Sequence, residues 1–294
     1  MTIKEARLKI RDELNDVYDS SEAKNVAELV LENITSLSRA EQNKDNETVL
    51  EKNQIEKLEK IIDRLKQNEP VQYILKETWF AGMKFKVNKN VLIPRPETEE
   101  LVEWVIADCR LQNEDLKIID IGTGSGCIPI SLKKKLHQSS VSAIDVCSEA
   151  LITATENAIA LETDIDFILL DFLDENKWKE LGEYDVIVSN PPYVRQSEKE
   201  SMQERVLNFE PHLALFIPDN DALIFYRKLA DFSKTHLKPG ATIYVEINEG
   251  LSKEVLELFQ SKKFNPIKLR KDMQGKERML KAVMSQELGI GIGN

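Results

Sequence analysis

Apolar residues recur at helical spacing through the first 69 residues, a stretch holding neither proline nor glycine. Thr2 and Glu5 form a capping-box pattern ahead of a helix expected from Ile3 to Val17. Val26, Leu29, Val30 and Ile34 make one apolar stripe, and Leu58, Ile61, Ile62 and Leu65 make another. Each spacing puts its members on one helix face. Ser36 to Thr48 is polar and reads either way. The pattern predicts a small all-α helical domain over residues 1–70.

The period then changes. Met83, Phe85 and Val87 alternate with Lys84 and Lys86, and Asn88-Lys89-Asn90 predicts a turn into Val91-Leu92-Ile93. Residues 71–95 are therefore expected to be a β-hairpin linker. Pro94 and Pro96 stiffen the approach to a helix that starts near Glu97 and carries Leu101, Val102 and Val105.

From residue 116 onward, strand runs alternate with helical stripes. The expected strands are Lys117–Ile121, Val141–Val146, Phe167–Asp171, Tyr184–Ser189 and Thr242–Ile247. The expected helices are Ile128–His137, Glu149–Leu161, Ala222–His236 and Ser252–Lys262. Buried strands joined by crossover helices make a mostly parallel sheet covered on both faces, an α/β Rossmann-like arrangement. Pro266–Arg270 and Arg278–Met284 lie too close for a crossover helix and are expected to pair antiparallel at one edge. This domain is placed at 96–285, followed by a flexible tail at 286–294 that contains three glycines.

Charge and cysteine content narrow the function. The 294 residues carry 40 Lys and Arg against 51 Asp and Glu, a net charge of −11. Residues 1–70 hold 12 basic and 16 acidic side chains. Binding nucleic acid through its phosphates needs a cationic footprint, so no direct nucleic-acid substrate is expected, although a local basic face stays open. Cys109, Cys127 and Cys147 are too few and too separated for a zinc site or a disulfide framework, which favours a reducing, cytoplasmic setting. No apolar run reaches membrane-spanning length, and the charged amino terminus does not read as a signal peptide.

Two motifs carry chemistry. Asp120-Ile121-Gly122-Thr123-Gly124-Ser125-Gly126 follows the first strand of the α/β region and opens a helix. Its glycines allow backbone angles closed to other residues and let a ligand approach the main chain. The dinucleotide fingerprint needs a further glycine at 127, where Cys127 stands, and this tilts the loop toward a ligand without phosphates. Asp145 ends the next strand, where a carboxylate can accept from both ribose hydroxyls. Asp171 and Phe172 end the third and suit an adenine, the ring stacking and the carboxylate taking the exocyclic amine. The plainer alternative is that both aspartates merely cap turns. Taken together, these residues point to S-adenosylmethionine, with S-adenosylhomocysteine as product and no metal.

The second motif is Asn190-Pro191-Pro192-Tyr193, after the buried run Tyr184–Ser189. Two prolines fix φ and remove two donors, leaving carbonyls on a rigid turn. The Asn190 amide and the Pro191 carbonyl give two acceptors for one NH₂ group, and Tyr193 offers a flat face above it. Holding both protons of a planar amino nitrogen orients its delocalised lone pair toward an electrophile.

These residues resemble the class I methyltransferases that modify planar amino nitrogens. Within that group the chain resembles the release factor N5-glutamine methyltransferase family, often called PrmC or HemK. The likeness spans the helical domain, Leu92-Ile93-Pro94-Arg95-Pro96-Glu97-Thr98-Glu99, the glycine loop, Asn190–Tyr193 and Phe209-Glu210-Pro211 with Ala214-Leu215. The resemblance implies that Gly122, Thr123, Gly124, Ser125 and Gly126 wrap the methionine end of the cofactor, with Asp145 on the ribose and Asp171 and Phe172 by the adenine. It implies that Asn190, Pro191, Pro192 and Tyr193 receive the glutamine of a Gly-Gly-Gln loop on a class I peptide release factor. The helical domain would dock that factor, and the enzyme would act as a monomer.

Other readings compete. An amino-methyltransferase acting on adenine or guanine in RNA or DNA shares Asn-Pro-Pro-Tyr. A nicotinamide oxidoreductase and a catalytically silent module share the sheet. Glu246 either faces the cavity or is a plain surface carboxylate, and the eight cations between Lys262 and Lys281 are either a solvated edge or a contact face. His137, His212 and His236 make no triad with a serine or cysteine.

Overall fold

The computed structural model describes residues 1–111 and 115–285, so the expected tail lies outside the described residues. The chain divides into two compact units. One is Met1–Glu77 with Gln203–Phe209, and the other is Thr78–Met202 with the chain from Glu210 onward.

The first unit holds α1 (Ile3–Glu13), α2 (Ser20–Thr35), α3 (Arg39–Lys44), α4 (Lys52–Leu65) and α5 (Val71–Leu75). The Thr2–Glu5 capping box forms as expected, with Thr2 N donating to Glu5 Oε2 at 2.8 Å and Glu5 N to Thr2 Oγ1 at 3.2 Å. However, α1 stops at Glu13 rather than Val17. Asn15 and Asp16 follow, residues whose side chains compete for backbone hydrogen bonds and favour turns. Within the ambiguous polar stretch, a second capping box, Ser38 with Glu41, starts α3. Ile3, Ile10, Val30, Leu31, Leu58 and Leu65 close the core of this unit.

The second unit begins at Thr78 within β1 (Glu77–Phe80), follows with β2 (Met83–Lys86), continues through α6 (Pro96–Cys109), β3 (Lys117–Ile121), α7 (Cys127–Lys135), β4 (Ser140–Asp145), α8 (Ser148–Ala160) and β5 (Asp166–Leu169), and reaches β6 (Tyr184–Ser189) and β7 (Val194–Arg195). The chain then gives α9 (Glu204–Phe209) to the first unit. There Arg205 pairs with Glu22 and lies 4.5 Å from the Tyr18 ring centroid. Back in the second unit come α10 (His212–Leu215), β8 (Phe216–Ile217), α11 (Ile224–His236), β9 (Leu237–Glu246), α12 (Ser252–Ser261), β10 (Phe264–Lys271) and β11 (Glu277–Met284).

The hairpin sits one turn earlier than the sequence suggested. β1 and β2 pair with each other, joined by Ala81 and Gly82 at φ 49° and 76°, the two positive angles of a tight two-residue turn. Val91–Ile93 is not a strand. Asn88 instead donates its amide to Thr153 Oγ1 at 2.8 Å and accepts from Asn90 N at 2.9 Å. Nor is the hairpin a linker. Asn157 of α8 accepts from Lys86 N at 2.7 Å and donates to the carbonyls of Lys86 and Ser125, both at 2.9 Å. Phe80 and Phe85 are fully buried and meet edge to face at 6.0 Å.

The main sheet has seven strands in the order β10-β11-β9-β6-β3-β4-β5. β5, β4, β3, β6 and β9 run parallel, and β11 pairs antiparallel with both β9 and β10, the edge expected from sequence. Ile144, Ile121, Ser189 and Val245 face one another across four adjacent strands. The next residue of each strand is therefore aligned at the carboxyl end, where open α/β sheets place ligands. Since Phe85 belongs to the core of the second unit, Phe85→Ala is expected to lower its unfolding free energy by about 3–5 kcal/mol. A denaturant titration followed by near-ultraviolet circular dichroism measures this, and a shift below about 1 kcal/mol would show the hairpin to be a loose appendage.

Candidate active site

At that end of the sheet lies a cavity of about 270 Å³. Its walls include Gly122, Thr123, Gly124, Ser125, Asp145, Asp171, Phe172, Asn190, Pro191 and Pro192, so most of the residues singled out from sequence meet in one place.

The glycine loop is stitched to the end of β4. Gly122 N and Thr123 N donate to the Ile144 carbonyl at 2.9 and 3.0 Å, and Gly124 N donates to Asp145 Oδ2 at 2.8 Å. Gly122 and Gly124 have φ of 79° and 54°, and a Cβ on either would meet no atom within 4 Å. Both glycines line the cavity, and a side chain on either would extend into open space beside it. Asp145 also accepts from Cys147 N at 2.9 Å, and burial raises its pKa against these bonds. Each carboxylate oxygen keeps a lone pair for a ligand hydroxyl. An open glycine cradle beside a carboxylate fits a nucleoside that carries an amino-acid tail and no phosphate.

Two positions differ from expectation. Gly126 does not line the cavity. It precedes α7 with φ 79°, and a Cβ there would come within 3.1 Å of Ala154 Cβ on α8, so its role is helix packing. Tyr193 is likewise not among the cavity walls. Its phenol turns to Glu246 instead, and its carbonyl accepts from Asn248 Nδ2 at 3.2 Å. Phe172 does line the cavity, yet it is mostly buried, its ring stacked on Trp178 at 5.5 Å and edge-on to Phe232.

Around Asn190 the structure supplies partners that the sequence left unassigned. Asn190 Nδ2 donates to Thr98 Oγ1 at 2.9 Å, and Thr98 donates to Glu246 Oε2 at 2.6 Å. Tyr193 donates its hydroxyl to the other oxygen of Glu246 at 3.1 Å. Glu246 is buried behind the wall rather than on the surface, and burial pushes its pKa up to about 7 against the bonds from Thr98 and Tyr193 and the charge of Arg278. Glu210 is also buried, accepting from Ile93 N at 3.1 Å and pairing with Arg95 at the cavity rim. Glu210 stood in the Phe209-Glu210-Pro211 motif and Glu246 at the end of a strand, but neither position signalled its partners.

Other residues take the plainer reading. The basic cluster is drawn into pairs, Lys262 with Asp231, Lys276 and Arg278 with Glu249, and Lys281 with Asp108, while Lys268 and Arg270 lie over Trp104. Cys127 lines the cavity, and burial pushes its thiol up to about 12, which disfavours the thiolate near neutral pH. Among the described residues, no helix is long and apolar enough to cross a membrane.

A family model described as the PrmC N-terminal domain matches residues 5–75, and one described as the methyltransferase small domain matches 105–212. A release factor glutamine methyltransferase of Flavobacterium psychrophilum is 44% identical, over 96% of this chain and 99% of its own. Another, of Bacteroides thetaiotaomicron, is 39% identical over 93% and 97%. Among solved structures, the hMettl16 catalytic domain in complex with a 3'UTR hairpin shares the fold, with a TM-score of 0.51 and 17% identity over 69% of this chain and 76% of that one.

Asp120 offers a test of the site's electrostatics. It is fully buried in β3, neither of its carboxylate oxygens has a hydrogen-bond partner among the described residues, and burial pushes its pKa up to about 7. Between its ordinary value and 7 the folded state holds a proton that the unfolded chain has lost, so stability falls as pH rises through that window. Asp120→Asn removes the titration. The variant should gain on wild type progressively as pH rises from about 4 to about 8, before cofactor is added. Melting temperatures measured across that range check it, and a pH-independent difference would contradict the assignment.

Proposed function

The chain belongs to the release factor glutamine methyltransferases, and on that premise we propose that it methylates the side-chain amide nitrogen (N5) of the glutamine in the Gly-Gly-Gln loop of a class I peptide release factor. The observation that carries the reading is the shared wall. Gly122, Gly124 and Asp145 line the same cavity as Asn190 and Pro191, which brings a nucleoside cradle and an amide receptor together.

S-adenosylmethionine, bound against Gly122–Ser125, Asp145, Asp171 and Phe172, supplies a methyl carbon activated by its sulfonium. The chain supplies alignment. Asn190 Oδ1 and the Pro191 carbonyl would accept the two N–H groups of the glutamine carboxamide and so fix the direction of its nitrogen. Pro191 and Pro192 hold the corner rigid, because neither can rotate about φ. Tyr193, anchored through its hydroxyl, stiffens the turn from behind. A carboxamide nitrogen is a weak nucleophile, and positioning of this kind supplies on the order of 7–11 kcal/mol. We assign the docking of the factor to the helical unit, which matches the PrmC N-terminal domain model.

The test is direct. Full-length protein incubated with release factor and S-adenosylmethionine should add one methyl group to the glutamine-containing peptide, as read by mass spectrometry. An unmodified peptide, with cofactor binding confirmed by calorimetry, would sink the reading. Asn190→Ala should lower kcat by about 100-fold. Cofactor affinity should stay within about threefold, a change below about 1 kcal/mol. Equal losses in both would move Asn190 from substrate to cofactor.

A further inference from the structure

We propose that Thr98 and Glu246 form a relay that dictates which end of the Asn190 carboxamide faces the cavity, making both of them positioning residues for the methyl-accepting amide. The inference rests on the proposed reading of Asn190 as the receptor of that amide.

A carboxamide packs almost equally well in two orientations, since its oxygen and nitrogen are nearly the same size. Hydrogen bonding has to choose between them. Here the choice is made at a distance. Glu246 as a carboxylate has no proton to give, so the 2.6 Å bond to Thr98 must use the single hydroxyl proton. What remains on Thr98 toward Asn190 is an acceptor, and only the NH₂ end of Asn190 can answer it, at 2.9 Å. Oδ1 is left as the end that meets a ligand. Turned around, Asn190 would present N–H groups to the N–H groups of glutamine.

The second oxygen of Glu246 is engaged in the same sense. Tyr193 donates to it at 3.1 Å, and burial together with the charge of Glu246 keeps the phenol protonated. The relay therefore ties together α6, the end of β9 and both the first and last residues of Asn190–Tyr193.

Protonation reverses the chain. A neutral Glu246 donates to Thr98, whose own proton is then free to turn toward Asn190, and the amide can follow. The groups facing Glu246 are Thr98 and Glu97 from α6, Tyr193, Tyr226 from α11 and Arg278 from β11, the last paired with Glu249 and Asp272. Both tyrosines are raised by burial, and the arginine stays charged. Glu246, pushed up to about 7, is the member of this set whose charge changes near neutrality.

The experiment measures kcat for release factor methylation from about pH 6 to about pH 9, and cofactor affinity by calorimetry, in the full-length chain. Wild-type kcat should rise by roughly tenfold as Glu246 ionises. Thr98→Val keeps the shape and removes the hydroxyl. It should lower kcat by about 10- to 100-fold and flatten the rise, with cofactor affinity held within about twofold. Thr98→Ser should restore most of the rate and the pH dependence. Glu246→Gln, nearly isosteric, should lower kcat and abolish the rise. Variants that keep the wild-type rate and profile would overturn the relay, and so would a Thr98→Val that loses cofactor affinity in step with kcat. If wild type leaves the factor unmethylated at every pH, the proposed function fails first, which separates the two outcomes.

Discussion

Backbone pairing across β4, β3, β6 and β9 puts Ile144, Ile121, Ser189 and Val245 in one row, and everything at the site follows from that register. The next residue of each strand is Asp145, Gly122, Asn190 and Glu246. A cavity-lining carboxylate, a bare backbone, a carboxamide and a buried carboxylate thus stand side by side, one strand spacing of about 4.8 Å apart. Ser189 fastens the central pair by donating its hydroxyl to the Ile121 carbonyl at 2.7 Å. A slip of one residue in any of these strands would turn its terminal side chain to the other face. The buried Ile and Val side chains that fix the register are therefore as necessary to the site as the residues that line it.

That arrangement requires burying acids where the sheet is driest. Asp120 and Glu246 are both almost fully inaccessible, and both are pushed up to about 7 by burial. An uncompensated buried carboxylate is costly, and a fold selected for stability alone would place an apolar residue at either position. Asp145 and Glu210 are treated differently. Asp145 accepts from two backbone amides, and Glu210 from one amide and the Arg95 guanidinium. The acids with fixed N–H partners hold loops in place, whereas Glu246 is held by hydroxyls, whose protons can be redirected.

The parts legible in the sequence were those set by local physics. The Thr2–Glu5 cap, the helical stripes, the alternation of strand and helix and the antiparallel edge all depend on neighbours within a few residues. The hairpin was misplaced because Asn88-Lys89-Asn90 is a stronger turn signal than Ala81-Gly82. Asn88, however, spends its side chain on Thr153 of α8, a partner 65 residues away. Gly126 was read with its loop because its type and spacing matched, while the contact that demands glycine there comes from Ala154. The segment around Arg205 joins the helical unit through Glu22 and Tyr18, and nothing in its own sequence announces that. For Glu246 the alternation of β9 fixes a face but not the depth of burial, which α6 and Tyr193 determine by packing over it.

A carboxylate at position 190 would present an acceptor whichever way it turned, and no second residue would be needed to orient it. A carboxamide has a donor end and an acceptor end of the same shape, so its direction must be set by a neighbour. The Thr98–Glu246 relay removes the ambiguity while keeping its charge behind the wall, separated from the cavity by the Thr98 hydroxyl and the Asn190 carboxamide.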